Sequence, residues 1–166
     1  MNDEQCRIQI QKYLKQFEKD NDFTIIFAVE SGSRSWKFYG SDSDYDIRFV
    51  YKYKKHQYLT LTKPQDYFEK TIREQNEVFD FVGYDMIKFL QLLKKSNPTV
   101  IEWLHSTITY DGKKPWSWKK YTRQYCNLNT LIHHYRGLAE QNYIKYIKDK
   151  PIVTYKKYLY VLRGIL

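Results

Sequence analysis

Gly32-Ser33, followed by Asp44-Tyr45-Asp46-Ile47, is the part of this sequence best equipped for chemistry. A glycine-serine turn leaves backbone N–H groups free to face a triphosphate. Asp44 and Asp46 stand two residues apart, so on a β-strand both carboxylates project from one face. Together with triphosphate oxygens they make an oxygen-only site suited to Mg²⁺, or to Mn²⁺ in its place. The reaction served by such a site is attack of a hydroxyl on the α-phosphorus of a nucleoside triphosphate, with pyrophosphate leaving. It runs on charge neutralisation and alignment, and two metal ions about 4 Å apart can clamp the attacking and leaving oxygens. Holding two ions calls for a third carboxylate on an adjacent strand. Asp80, inside Val78-Phe79-Asp80-Phe81-Val82, is the best candidate. An acid within an apolar strand is costly unless it is paired or metal-bound. Glu77 and Asp85 are poorer candidates because both fall at element ends. The predicted catalytic and metal-binding set is therefore Asp44, Asp46 and Asp80. An Asp-x-Asp pair by itself also describes a solvated acidic turn; its junction with the Gly-Ser turn between two strands points to chemistry.

The elements needed to position these residues can be read from periodicity. Residues 4–19 form a predicted helix with Ile10, Tyr13, Leu14 and Phe17 on one stripe. Residues 23–29 read as a buried strand that ends at Gly32-Ser33, where a short helix opens and runs through Phe38. Gly40-Ser41-Asp42-Ser43 is turn chemistry. Residues 44–53 form the next strand, with Tyr45, Ile47, Phe49 and Tyr51 on one face and Asp44, Asp46 and Arg48 on the other. Residues 54–76 are polar and weakly periodic and read as an excursion that could carry a substrate loop. Val78 to Val82 is a third strand. Asp85 caps a helix with the core stripe Met86, Phe89, Leu90 and Leu93, stopped at Ser96-Asn97-Pro98. The remainder is mostly helical. Residues 99–105 are a short apolar element, 111–115 a turn or linker, and long helices run from Leu128 to about Lys148 and from Tyr155 to the last residue.

Lys and Arg number 28 against 19 acidic residues in 166, a formal net charge of +9 that favours anionic partners. Lys52, Lys54, Lys55, His56 and Tyr58 could track a nucleic-acid backbone beside the site. No run reaches about 18 apolar residues, so no transmembrane helix is expected. The N-terminus lacks the basic and apolar regions of a signal peptide, and Cys6 and Cys126 offer neither metal-like spacing nor a disulfide framework. The expected location is the cytoplasm, that of a host cell if the protein is viral.

The stretch Gly32 to Tyr51 resembles the DNA polymerase β nucleotidyltransferase superfamily, whose pattern is glycine-serine, about ten residues, then Asp-hydrophobic-Asp-hydrophobic. More narrowly, the chain is similar to bacterial and phage predicted nucleotidyltransferases found beside RNA ligase and end-healing genes. Phe79 to Asp85, Lys94 to Pro98 with Glu102-Trp103-Leu104, His133-His134-Tyr135 and Lys156 to Arg163 carry that narrower likeness. It implies an α+β fold, with a short mixed sheet and helices in a nucleotidyltransferase core over 1–110. A helical region over 111–166 would then close over the nucleotide. It also implies that Gly32 and Ser33 hold the β- and γ-phosphates, and that Asp44 and Asp46 bind metal. Asp80 would complete the ligands and help activate the acceptor hydroxyl. Arg34 would touch phosphate, and Lys157 and Arg163 would reach the triphosphate from the helices. His133 and His134 have no assigned role, and at least one is expected to pack on the core. Lys37 stands where the family pattern has glycine, and Gly164 where it has proline. Family members extend further, so the chain reads as a shortened viral version or a truncated one.

The leading function is NTP-dependent nucleotidyl transfer, with RNA the favoured acceptor because of the net charge, the exposed aromatics and the family's gene neighbourhood. Transfer to a protein hydroxyl or a small molecule is a second reading. A non-catalytic nucleotide- or RNA-binding module, or an antitoxin-like subunit, is a third. The apolar Gly164-Ile165-Leu166 end leaves room for a second copy or a partner.

Overall fold

The computed structural model describes residues 2–36, 40, 43–112 and 116–164. Among them the fold is α+β, built on a five-stranded mixed sheet of order β3-β4-β2-β1-β5. The strands are β1 (Thr24–Glu30), β2 (Tyr45–Lys52), β3 (Tyr67–Glu74), β4 (Glu77–Asp85) and β5 (Thr109–Gly112). The helices are α1 (Asp3–Asn21), α2 (Gly32–Ser35), α3 (Met86–Lys94), α4 (Pro98–His105), α5 (Trp116–Tyr125), α6 (Leu128–Tyr146) and α7 (Tyr155–Leu162). Lys37, Phe38, Ser41, Asp42, the 113–115 part of the expected linker, and Ile165-Leu166 lie outside the described residues.

Period-2 alternation on β2 divides the molecule into layers. Tyr45, Ile47, Phe49 and Tyr51 face one core together with Phe79, Phe81 and the α1 stripe Cys6, Ile10, Leu14 and Phe17. Val50, on the opposite face, joins a second core made with Phe27, Phe89, Leu93, Trp103 and Leu104 under α3 and α4. Asp46 and Arg48 share the Val50 face, beyond the point where α3 and α4 cover it.

Caps fix where the helices start. At α1 the Asn2 side chain accepts from Gln5 N at 2.8 Å, and the Gln5 side chain returns an acceptor to Asn2 N at 3.0 Å. Asp85 accepts from Ile87 N at 2.9 Å and opens α3 as expected. Ser96 then takes a φ of +56°, Asn97 caps α4 and Pro98 is its first residue, so three consecutive residues end one helix and begin the next.

Two strands were invisible to periodicity. Eight residues of the 54–76 excursion, Tyr67–Glu74, are β3, an edge strand pairing antiparallel with β4. Phe68 and Ile72 lean from one of its faces onto the first core, while Glu69, Lys70, Thr71 and Arg73 are exposed, as suits a strand paired on one flank only. β5 pairs with β1 through only four residues, Thr109–Gly112. Leu90, expected in the α3 stripe, is 41% exposed, and Phe89 and Leu93 supply the buried face instead. His133 and His134 are both exposed on α6, so neither packs on the core. The α6 stripe is itself only partly covered. Leu131, Ile132 and Tyr135 line an apolar groove of about 1120 Å³ against Leu159 and Leu162 of α7.

Candidate functional site

The chain leaves β1 at Glu30 and turns at once. Ser31 N donates to Asp46 O at 2.8 Å, which ties the turn to the start of β2. Gly32 follows with a φ of +59°, a conformation that favours glycine. Space demands glycine too, since a Cβ built there would stand 1.9 Å from Asp46 Oδ2. The turn therefore lies directly against the carboxylate that the sequence singles out.

A cavity of about 380 Å³ opens over this contact. Gly32, Ser33, Asp44 and Asp46 form its base. Leu138, Asn142 and Tyr146 of α6, with Lys156, Leu159 and Tyr160 of α7, form its wall. Trp36 and Arg163 complete the lining, and the Arg163 guanidinium stands 4.7 Å from the Trp36 ring centroid. Arg163 also pairs with Glu102 of α4, while Tyr135 donates to the same carboxylate at 2.8 Å. Glu102 thus fastens the two C-terminal helices to the sheet layer.

Asp80 stands opposite Asp46 across the parallel β2–β4 register. It does not line the cavity; its carboxylate accepts from Thr71 Oγ1 at 3.1 Å and from Arg48 at 2.9 Å. Arg48 Nη2 also reaches Asp46 Oδ1 at 2.9 Å. Burial raises the Asp46 carboxyl above its ordinary range, the charges of Asp80 and Asp44 add to the rise, and Arg48 and Lys156 oppose it. Like charges crowded with oxygen-only donors are a donor set that fits a hard divalent cation. Among the described residues, no three His, Cys, Asp or Glu side chains are already grouped around such an ion.

Two predicted phosphate contacts point elsewhere. Arg34 is buried, with Nε and Nη2 donating to Ser43 O at 3.2 and 3.1 Å and its guanidinium 3.7 Å from the Tyr45 ring centroid. It holds the Ser43 carbonyl, next to Asp44. Lys157 Nζ lies 3.8 Å from the Tyr146 ring centroid, on the rim, and Lys156 is the lysine that lines the cavity. A one-residue difference in helical phase separates the two.

Sequence reasoning missed Glu30 altogether. It is fully buried, Oε1 accepting from Asp46 N at 2.8 Å and Oε2 from the Tyr110 hydroxyl. Burial pushes its carboxyl up to about 7; the Tyr110 and Asp46 N–H bonds and the Arg34 charge pull downward, and the Asp46 charge pushes further up. An acid closing an apolar strand just before the turn was the available signal. No described helix is long and apolar enough to cross a membrane.

The site's geometry can be set beside known proteins. YcgL of Bacillus subtilis (strain 168), an uncharacterized protein, is 38% identical over 155 residues. A nucleotidyltransferase-like protein from Exiguobacterium sibiricum 255-15, of known crystal structure, aligns with 94% of this chain at 11% identity and a TM-score of 0.43. The chain covers 92% of itself and 58% of YcgL in the first comparison and 54% of the second protein, so it spans little more than half of either relative. The profile of the RNA repair pathway DNA polymerase beta family matches residues 6–166. That span contains the Gly-Ser turn, the aspartates of β2 and β4 and the helices that wall the cavity, and the chain belongs to this family.

Proposed function

We propose that this chain is a metal-dependent nucleotidyltransferase that moves an NMP from an NTP to a hydroxyl on RNA and releases pyrophosphate. The observation that carries the reading is the Gly32-Ser33 turn packed on Asp46, at the base of a cavity shared with Asp44 and walled by Lys156 and Arg163. Gly32 and Ser33 present N–H and hydroxyl donors to the terminal phosphates. Lys156 and Arg163 balance the charge of the triphosphate from the helical side. Asp44, Asp46 and Asp80 would hold Mg²⁺ or Mn²⁺, which when bound neutralises the developing phosphate charge and aligns the two oxygens in line. Asp80 assists removal of the acceptor's proton. The new bond joins the acceptor oxygen to the α-phosphorus, and the bond from that phosphorus to the bridging oxygen of pyrophosphate breaks. Residues 1–110 act as the nucleotidyltransferase core and the helices of 111–166 close over the nucleotide.

An RNA acceptor is favoured by the family's place in RNA repair and by the rim of the cavity. Between 143 and 163 the chain has six basic residues, one acidic residue and five tyrosines. Tyr155 is 90% exposed there, the composition of a surface that stacks bases and tracks phosphates. The test is transfer of label from each α-³²P-NTP to tRNA, short RNA and protein with Mg²⁺ or Mn²⁺. The wild type is compared with the Asp44→Asn/Asp46→Asn double variant. Label on RNA that disappears in the variant supports the reading. Label on protein moves it to protein nucleotidylation, and no transfer to any acceptor overturns it.

A further inference from the structure

Arg48 sits among the acids of the site. It follows Asp46 by two positions on β2 and so shares its face. Across the ladder Asp46 faces Asp80, and two like charges directly opposite repel. Arg48 Nη2 resolves the repulsion by donating to Asp46 Oδ1 and Asp80 Oδ2, both at 2.9 Å. Nη1 donates to the backbone oxygens of Asp80 at 2.9 Å and Ile47 at 3.2 Å, which fixes the plane of the guanidinium. The Arg48 side chain is 17% exposed.

We propose that Arg48 is a positioning residue that serves as a built-in substitute cation. It holds Asp46 and Asp80 together in the nucleotide-free protein, so that a divalent ion binds there only in company with the triphosphate. The inference rests on the metal-dependent transfer reading. A divalent ion arriving alone must either break two charge-assisted bonds or settle beside a positive charge, and both weaken its binding. A triphosphate on Gly32-Ser33 supplies new oxygens for the ion and negative charge that offsets the guanidinium's repulsion of it. Ion and nucleotide then strengthen each other by a common factor.

The experiment follows the free-Mn²⁺ signal by electron paramagnetic resonance, with and without ATP in which methylene replaces the α,β-bridging oxygen. Wild type, Arg48→Met and Arg48→Lys are compared, with circular dichroism to check the fold. Wild type is expected to bind Mn²⁺ weakly alone and about 5–150-fold more tightly with the nucleotide. Arg48→Met should bind Mn²⁺ alone about tenfold more tightly than wild type and lose most of the coupling. Arg48→Lys, which keeps the charge, should stay near wild type. A folded Arg48→Met that binds Mn²⁺ no more tightly than wild type overturns the inference. So does a wild type that binds the ion equally well with and without nucleotide, a comparison that needs no variant to fold. Failure of every protein to bind Mn²⁺ even with nucleotide overturns the metal-dependent reading itself.

Discussion

Replacing Gly32 with alanine concentrates two separable penalties at one atom. The first is conformational. Gly32 holds a φ of +59°, and an L-residue there costs about 1–2 kcal/mol. For a chain of this size each kcal/mol moves the melting temperature by about 2–4 °C, so a fall of about 5 °C is expected. The second penalty is steric and local. The new Cβ would meet Asp46 Oδ2 at 1.9 Å, Cγ at 2.8 Å and Cβ at 3.3 Å. Restoring ordinary contact requires the carboxylate oxygen to retreat by about 1.5 Å. Its partner oxygen is meanwhile held by Arg48 at 2.9 Å, so the retreat breaks that bond or drags the guanidinium with it. Displacement of a reacting group by about 1 Å costs on the order of 10²-fold in rate. Scanning calorimetry reads the first penalty and α-labelled NTP transfer the second. Ser33→Ala is the control, because it removes one hydroxyl donor without crowding Asp46. A Gly32→Ala protein that melts with the wild type, or transfers within threefold of it, refutes the claim that the turn and Asp46 form one packed unit.

The remaining predictions address charge. Glu30 titrates at about 7 in the folded protein against an ordinary 4.5, so the unfolded chain loses its proton first as pH rises. Stability should therefore fall between about pH 4.5 and 7 by about 3 kcal/mol and level off above, and Glu30→Gln should remove that slope. Urea midpoints for both proteins across this range check it, and parallel curves would contradict it. Lys156→Ala should weaken NTP binding by about tenfold or more, while Lys157→Ala, stacked on Tyr146, should change it less than threefold. Titration with a fluorescent NTP analogue separates the two, and equal losses would return the assignment to Lys157. Lys148→Glu/Lys150→Glu, both exposed beyond α6, should reduce the salt slope of single-stranded RNA binding by about 1.4 and leave NTP affinity intact. An unchanged slope would move the RNA surface away from this rim.

The parts of the site legible in the sequence were those set by strict local rules. The β2 alternation placed Asp46 opposite the aromatic core, and an isolated acid in Val78-Phe79-Asp80-Phe81-Val82 marked the strand that pairs with β2. Asp85 was readable as a cap because its side chain answers a backbone N–H two residues away, whereas Asn97, read only as part of a helix stop, proves to cap α4 as well. What escaped depends on distant partners. Glu30 draws its meaning from Tyr110, eighty residues along the chain. Arg48 was seen to share the face of Asp46, but its role as a bridge appears only when β4 arrives in register. Lys156 and Lys157 are equivalent in sequence, and only the roll of α7 against α6 decides between them. β3 escaped because only Phe68 and Ile72, four residues apart on one face, reach the core, and two apolar positions among exposed polar ones do not show as alternation.

The most direct test of the account is a crystal structure with Mg²⁺ and ATP whose α,β-bridging oxygen is replaced by methylene. The account predicts the terminal phosphates on Gly32 and Ser33, metal density touching Asp44 and Asp46, Lys156 against the triphosphate, and Arg48 withdrawn from its bridge. A nucleotide bound away from the Gly32 turn, or metal that does not touch Asp46, would contradict it.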